Sequence, residues 1–293
     1  MVFVFLAAFA PSVVFILAIK WDRCQRKRTE KPPQAEKLLR PPGYSLSVRL
    51  ESTFDSVLNC LLAASLFSAF SVASAVSLAI SLGLKAPAAF QVLSFLATLA
   101  FLCGCLWFFR RAFHWFRQAQ DLKLGLSGEQ AVAEALNEAA EFGFRAFHDL
   151  QTEQVGNIDH AAVGKRGVFL IETKARRKRG GTHRQAGHEV HYDGEALQFP
   201  NFRETKPIEQ AKINAKWLSN YLRNKTGEPV EVFPLVVLPG WFVKTTEKGN
   251  FRVNVMNANY LPGFLERQGE KIDPAQVRRI ITALDEKCRD VEF

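Results

Sequence analysis

Residues 157–174 read NIDHAAVGKRGVFLIETK, and the fold turns on how this stretch pairs with itself. Two short apolar-alternating runs flank Gly164-Lys165-Arg166-Gly167, a turn signal between strands. A turn centred between Lys165 and Arg166 makes an antiparallel hairpin in which paired residue numbers sum to 331. Asp159 and Glu172 satisfy that sum, so the register sets two carboxylates opposite each other, with Cβ atoms roughly 4.5–5.5 Å apart. Lys174 follows Glu172 by two and shares its face, because strand side chains alternate with period 2. Facing carboxylates repel unless a cation lies between them, and oxygen ligands of this kind suit Mg²⁺ or Mn²⁺. The pattern is that of a metal-dependent phosphodiesterase site. A slip of one residue would turn the partners to opposite faces, so the reading depends on the register.

Working outward, the apolar residues are unevenly spread. Residues 2–19, 57–84 and 88–109 are strongly apolar, whereas the chain after Arg110 has an ordinary mixed composition. Three membrane spans are expected: a helix over 1–20 and, after a basic loop over 21–56, the two helices of a hairpin over 57–109. Small residues at Ser65, Ser68, Ala69, Val72, Ala75 and Ala79 follow helical spacing and would allow close packing. Pro32-Pro33 and Pro41-Pro42-Gly43 make regular structure unexpected in the first connection. That connection is rich in Lys and Arg, and Arg110-Arg111 follow the last run, which places the C-terminal domain in the cytoplasm of a multi-pass membrane protein. The net charge of +9 points to an anionic partner, nucleic acid or a lipid surface. The five cysteines show no disulfide framework and no metal-ligand spacing.

After a linker over 110–124, Ser127 is expected to cap a helix from about Gly128 to Phe142, with Glu129 on the same face as Val132 and Leu136. A strand over 144–150 leads into the hairpin. Behind it Arg176, Arg177, Lys178 and Arg179 form a basic, glycine-containing loop suited to phosphates. His183, His188 and His191 lack the Cys or carboxylate spacing of a zinc site. Pro207 opens a helix whose inward face is expected at Gln210, Ile213, Trp217 and Tyr221. Val230 to Leu238 has the continuous apolar character of a strand buried on both sides, strand-like residues recur at 251–255, and a last helix spans about 274–288.

Gly128-Glu129 on a helix, Ile158-Asp159-His160 on a strand and Glu172-Thr173-Lys174 on the next resemble the nuclease-related domain (NERD) family. Pro207-Ile208-Glu209-Gln210 and Pro234 to Gly240 extend the likeness, which covers 125–240, with 241–293 as an extension of the same domain. That family is grouped with the PD-(D/E)xK nucleases, so the resemblance implies an α/β fold, a restriction-endonuclease-like mixed sheet flanked by helices, preceded here by transmembrane helices. It also implies Asp159 and Glu172 as metal ligands, Lys174 as the catalytic lysine, Glu129 as the helical acid and Gln210 as the glutamine after the core. The segment 175–191 is longer than the turn such a domain is expected to carry there. The implied activity is Mg²⁺-dependent endonucleolytic hydrolysis of DNA or RNA, with Lys174 orienting water rather than acting as general base. Two other classes compete: a tethered nucleic-acid-binding module without catalysis, and a scaffold binding anionic lipid. Adjacent acids that repel phosphate argue against the first of these.

Overall fold

The structure is a computed structural model that describes residues 14–15, 17–19, 21–22, 24–25, 37–81, 87–178, 188–245 and 251–291. The described residues fall into two compact units, one within Met1–Pro33 and Val48–Asp121, the other within Gln34–Ser47 and Leu122–Phe293.

The first unit is helical. Helix α1 spans Tyr44–Ser81 and helix α2 spans Pro87–Glu138. The irregular connection expected up to residue 56 therefore ends at Gly43, where a positive φ of 71° lets the chain turn into the helix. The expected multi-pass membrane placement does not stand: among the described residues, no helix is long and apolar enough to cross a membrane. Helix α1 opens on Arg49, Glu51 and Asp55, and serines recur through its apolar run at 65, 68, 71, 74, 77 and 81. The hydroxyls of Ser65 and Ser68 bond back to the carbonyls of Leu61 and Ala64, keeping polar groups in that run. Helix α2 meets Arg110 and Arg111 and continues as a polar helix. Without a span among the described residues, the basic loops have no topology to set there, and the cytoplasmic assignment loses its basis. The apolar run Val2 to Ile19 lies largely outside the described residues. Large apolar side chains, among them Leu66, Phe95, Leu102 and Leu106, are nevertheless exposed on the two helices.

The second unit is a mixed α/β fold with mixed sheets flanked by helices. Its strands in chain order are β1 (Leu38–Leu39), β2 (Arg145–Leu150), β3 (Ile158–Gly164), β4 (Gly167–Thr173), β5 (Glu189–Tyr192), β6 (Leu197–Gln198), β7 (Arg203–Glu204), β8 (Val232–Val237), β9 (Phe242–Thr245), β10 (Asn254–Met256) and β11 (Arg289–Val291). The main sheet has the order β10-β8-β4-β3-β2, antiparallel across β2, β3 and β4, and parallel across β4, β8 and β10. A second sheet runs β7-β6-β5-β9, and β1 pairs with β11.

The hairpin register is the expected one. His160 pairs with Ile171, Ala161 with Leu170 and Gly164 with Gly167, each pair summing to 331. Strand β4 is buried at every position because both of its faces are covered. On one face Val168 and Leu170 meet Ile208, Ala211, Ala215 and Leu218 of helix α3 (Lys206–Thr226) and Ile280 and Leu284 of helix α5 (Pro274–Cys288). On the other, Phe169 and Ile171 meet Val132 and Leu136 of α2 and Leu261 and Leu265 of helix α4 (Leu261–Glu266).

Two helical expectations are corrected. Ser127 caps nothing: α2 runs through it unbroken, and its hydroxyl bonds to the Leu124 carbonyl three residues back. The buried stripe of α3 is Ile208, Ala211, Asn214, Ala215, Leu218 and Leu222, while Ile213 is exposed. Trp217 and Tyr221 pack on the edge of the core and stack on each other, which is why their spacing mimics an inward face.

Candidate active site

The site forms at the C-terminal end of β4, where the hairpin, the last turns of α2 and the first turns of α3 converge. By period 2, Glu172 shares the α3 side of the sheet with Val168 and Leu170, and continuing the register one step past the last pair, His160 with Ile171, brings Asp159 to the same side. The backbone N–H of Thr173 donates to Asp159 Oδ2 at 2.7 Å, fixing that carboxylate against the strand end. Lys174 Nζ lies 3.7 Å from Glu172 Oε1. The Glu172 side chain is nearly buried, and Asn214 Nδ2 of α3 donates to its Oε2 at 3.4 Å.

Glu129 approaches from α2. It is buried and close enough to Asp159, Asp149 and Glu172 to be repelled by all three. Gly128 explains why the helix can come so near, since a Cβ there would lie 2.7 Å from the Cβ of Ala175. Gln210 stands one layer back. Its Nε2 donates to the Val155 carbonyl at 3.0 Å and to Asn214 Oδ1 at 3.0 Å, so it orients the asparagine that reaches Glu172.

The electrostatics are those of a site with too much negative charge. Burial raises all three acids, joined by repulsion from Asp159, Asp149 and Glu172 at Glu129 (to about 9), from Asp159 at Glu172 (to about 8) and from Asp149 at Asp159 (to about 6). Lys174 and the Thr173 N–H offset part of this at Asp159. Such a cluster suits a divalent cation, which would restore the charged carboxylates. Among the described residues, no group of three or more His, Cys, Asp or Glu closes into a ready-made metal cage. Asp159 and Glu172 with water are an adequate set for Mg²⁺, which keeps several waters and takes one or two carboxylates.

Two site residues escaped the sequence reading. Asp149 is buried with φ 52°, and accepts from the Ser45 N–H at 2.7 Å, Ser45 Oγ at 2.8 Å and Asn157 Nδ2 at 2.8 Å. Nothing in His148-Asp149 announces a left-handed backbone, although Asp tolerates one better than most residues. Asn214 carried a readable signal: it is a polar residue inside the apolar stripe of α3, four after Gln210.

Of the expected phosphate-binding residues, Arg176 is already engaged: it makes a two-pronged ion pair with Glu204 and donates to the Ala175 carbonyl. Arg177 and Lys178 are exposed, and Arg179, His183 and Arg184 lie outside the described residues. His188 and His191 belong to the second sheet region rather than to the carboxylate cluster.

Residues 124–239 match the model of the nuclease-related domain (NERD) family. The match covers the end of α2, the hairpin, α3 and β8, so every carboxylate described above falls inside it, and this part of the chain is a nuclease-like domain. No curated protein and no solved structure matches the chain.

Proposed function

We propose that the second unit is a metal-dependent nuclease that hydrolyses phosphodiester bonds of nucleic acid, with the restriction-endonuclease-like core that the family resemblance implies. The observation that carries this is Asp159, held by the Thr173 N–H, at the strand end that carries Glu172 and Lys174, with Lys174 Nζ 3.7 Å from Glu172, on a segment that matches nuclease-related domains. Asp159 and Glu172 would hold Mg²⁺ or Mn²⁺, which when bound supplies Lewis-acid polarisation of a phosphoryl oxygen and activation of water. Lys174 points its ammonium into the same space, where it orients the attacking water and offsets charge developing on the phosphoryl group. Asn214, held by Gln210, keeps Glu172 in one rotamer. Glu129 adds a third carboxyl that is protonated while the site lacks a cation and can ionise when one enters. Arg177, Lys178 and Arg179 would meet the backbone phosphates, which carries no sequence information and implies a salt-dependent, sequence-tolerant grip. A binding protein gains nothing from three buried acids beside its phosphate contacts.

The full chain incubated with labelled DNA and RNA in Mg²⁺, Mn²⁺ or EDTA tests the proposal. Cleavage that needs the metal and disappears in Asp159→Ala and Lys174→Ala supports it. Binding without cleavage, unchanged in both variants, contradicts it.

A further inference from the structure

The segment that leads into α1 lies some eighty residues before the family match, yet it is built into the candidate site. Leu38 and Leu39 pair with Val291 and Arg289 of β11. The Arg40 N–H donates to the Cys288 carbonyl at 3.0 Å. The Arg40 side chain, 4 % exposed, forks onto Asp290 and donates to the Asp149 carbonyl at 2.9 Å. Having been tied down there, the chain turns at Gly43, close against the Glu129 carboxylate. A Cβ on Gly43 would lie 3.5 Å from Glu129 Oε2 and collide with Leu126 Cδ1 of the same helix, and its φ of 71° strains any other residue. Two residues on, Ser45 gives both its N–H and its hydroxyl to Asp149, and Asn157, just before Asp159, bonds to Ser45 Oγ at 2.9 Å and to Asp149 at 2.8 Å.

We propose that Leu38–Ser47 is a positioning strap of the site, in which Gly43 holds Glu129 and Ser45, through Asp149 and Asn157, holds the strand carrying Asp159. The two anchors act on different elements. Gly43 reaches the helix that carries the third acid, and Ser45 reaches the entry to the hairpin. Both hang from Arg40, which fastens the strap to the C-terminal strand. The nuclease-related segment is therefore not self-sufficient: two donors to its buried Asp149, the N–H and the hydroxyl of Ser45, come from outside it. The catalytic consequence rests on the nuclease reading, whereas the strap itself is a matter of structure.

The test uses the full chain and two readouts. Amide hydrogen exchange is followed at residues 40–47 in the wild type, Glu129→Ala and Asp149→Ala. The expected result is at least tenfold faster exchange of the Gly43 amide in the first variant and of the Ser45 amide in the second. Unchanged exchange in both overturns the strap. Cleavage kinetics are then compared for Gly43→Ala and the milder Ser45→Ala, which deletes one hydroxyl and keeps the backbone donor. A positioning role lowers kcat about tenfold or more in Gly43→Ala, and less in Ser45→Ala, with KM within twofold of wild type. Kinetics of wild type in both variants overturn the positioning role. A wild type that does not cut refutes the nuclease reading, and the exchange result alone then decides the strap.

Discussion

Replacing Glu172 by Gln removes an ionisable acid from a buried position while keeping its shape, and the consequence for stability has a definite sign. Burial and the neighbouring Asp159 push Glu172 from an ordinary value of 4.5 up to about 8. At pH 7 the folded protein therefore keeps a proton that the unfolded chain has released. Because pH 7 lies about 2.5 pH steps above the ordinary value, and each step is worth about 1.4 kcal/mol, the wild type forfeits at most about 3 kcal/mol there. The penalty is absent below pH 4.5, grows as the pH rises and is complete near pH 8, so stability falls with rising pH across that window. Glu172→Gln carries no such penalty and can still accept from Asn214. For a unit of this size, 3 kcal/mol corresponds to roughly 6–12 °C in Tm. Melting curves in EDTA at pH 4, 6 and 8 should show the variant matching the wild type at pH 4 and exceeding it by several degrees at pH 8. Added Mg²⁺ should narrow the gap at pH 8 by raising the wild type alone. A variant less stable than wild type at pH 8, or a gap that does not open with pH, would refute the claim that Glu172 is an electrostatic liability.

Other expectations follow from single contacts. Asn214→Leu strips Glu172 of its buried donor and leaves the Gln210 amide facing apolar surface; urea denaturation should show a loss of about 1–3 kcal/mol, with cleavage reduced. Phe169 is 1 % exposed between Phe144, Phe233 and Phe264, so Phe169→Ala should cost about 3–5 kcal/mol in the same measurement. Arg40→Met breaks the fork onto Asp290 and the bond to the Asp149 carbonyl, and with Asp290 half-exposed its cost should be near the low end for a buried pair, about 3 kcal/mol. A chain starting at Gln120 keeps the whole family match but loses Ser45 and Arg40, and limited proteolysis should find it cut faster between β2 and β3 than the full chain.

The hairpin was legible because its information is local. A Gly-x-x-Gly turn fixes the register, and period 2 then fixes which side chains share a face. Strand β8 was legible for a similar reason, since a continuous apolar run marks a central strand with both faces covered. The inward face of α3 was misjudged because aromatic residues suit a core edge as well as a core, and Trp217 and Tyr221 stack at the edge. The helical start at Ser127 was misjudged because a cap residue is also tolerated mid-helix, where its hydroxyl returns to a carbonyl of the preceding turn. The membrane spans rested on the apolar runs, with the serines of α1 read as packing positions and Arg110-Arg111 as a topology signal; among the described residues, no helix is long and apolar enough to cross a membrane. Asp149 and the strap could not be seen at all. Their partners lie 104 and 109 positions apart along the chain, and only the folded arrangement brings Ser45 and Arg40 to Asp149.

Asp159 and Glu172 together are proposed to form the cation site. Calorimetric titration of the full chain with Mn²⁺ tests it without requiring that a substrate be known. The wild type should bind one ion per chain, with protons released at pH 6 as the raised carboxyls ionise, and both Asp159→Asn and Glu172→Gln should abolish that binding. Wild-type affinity retained in either variant would place the ion elsewhere and contradict the account.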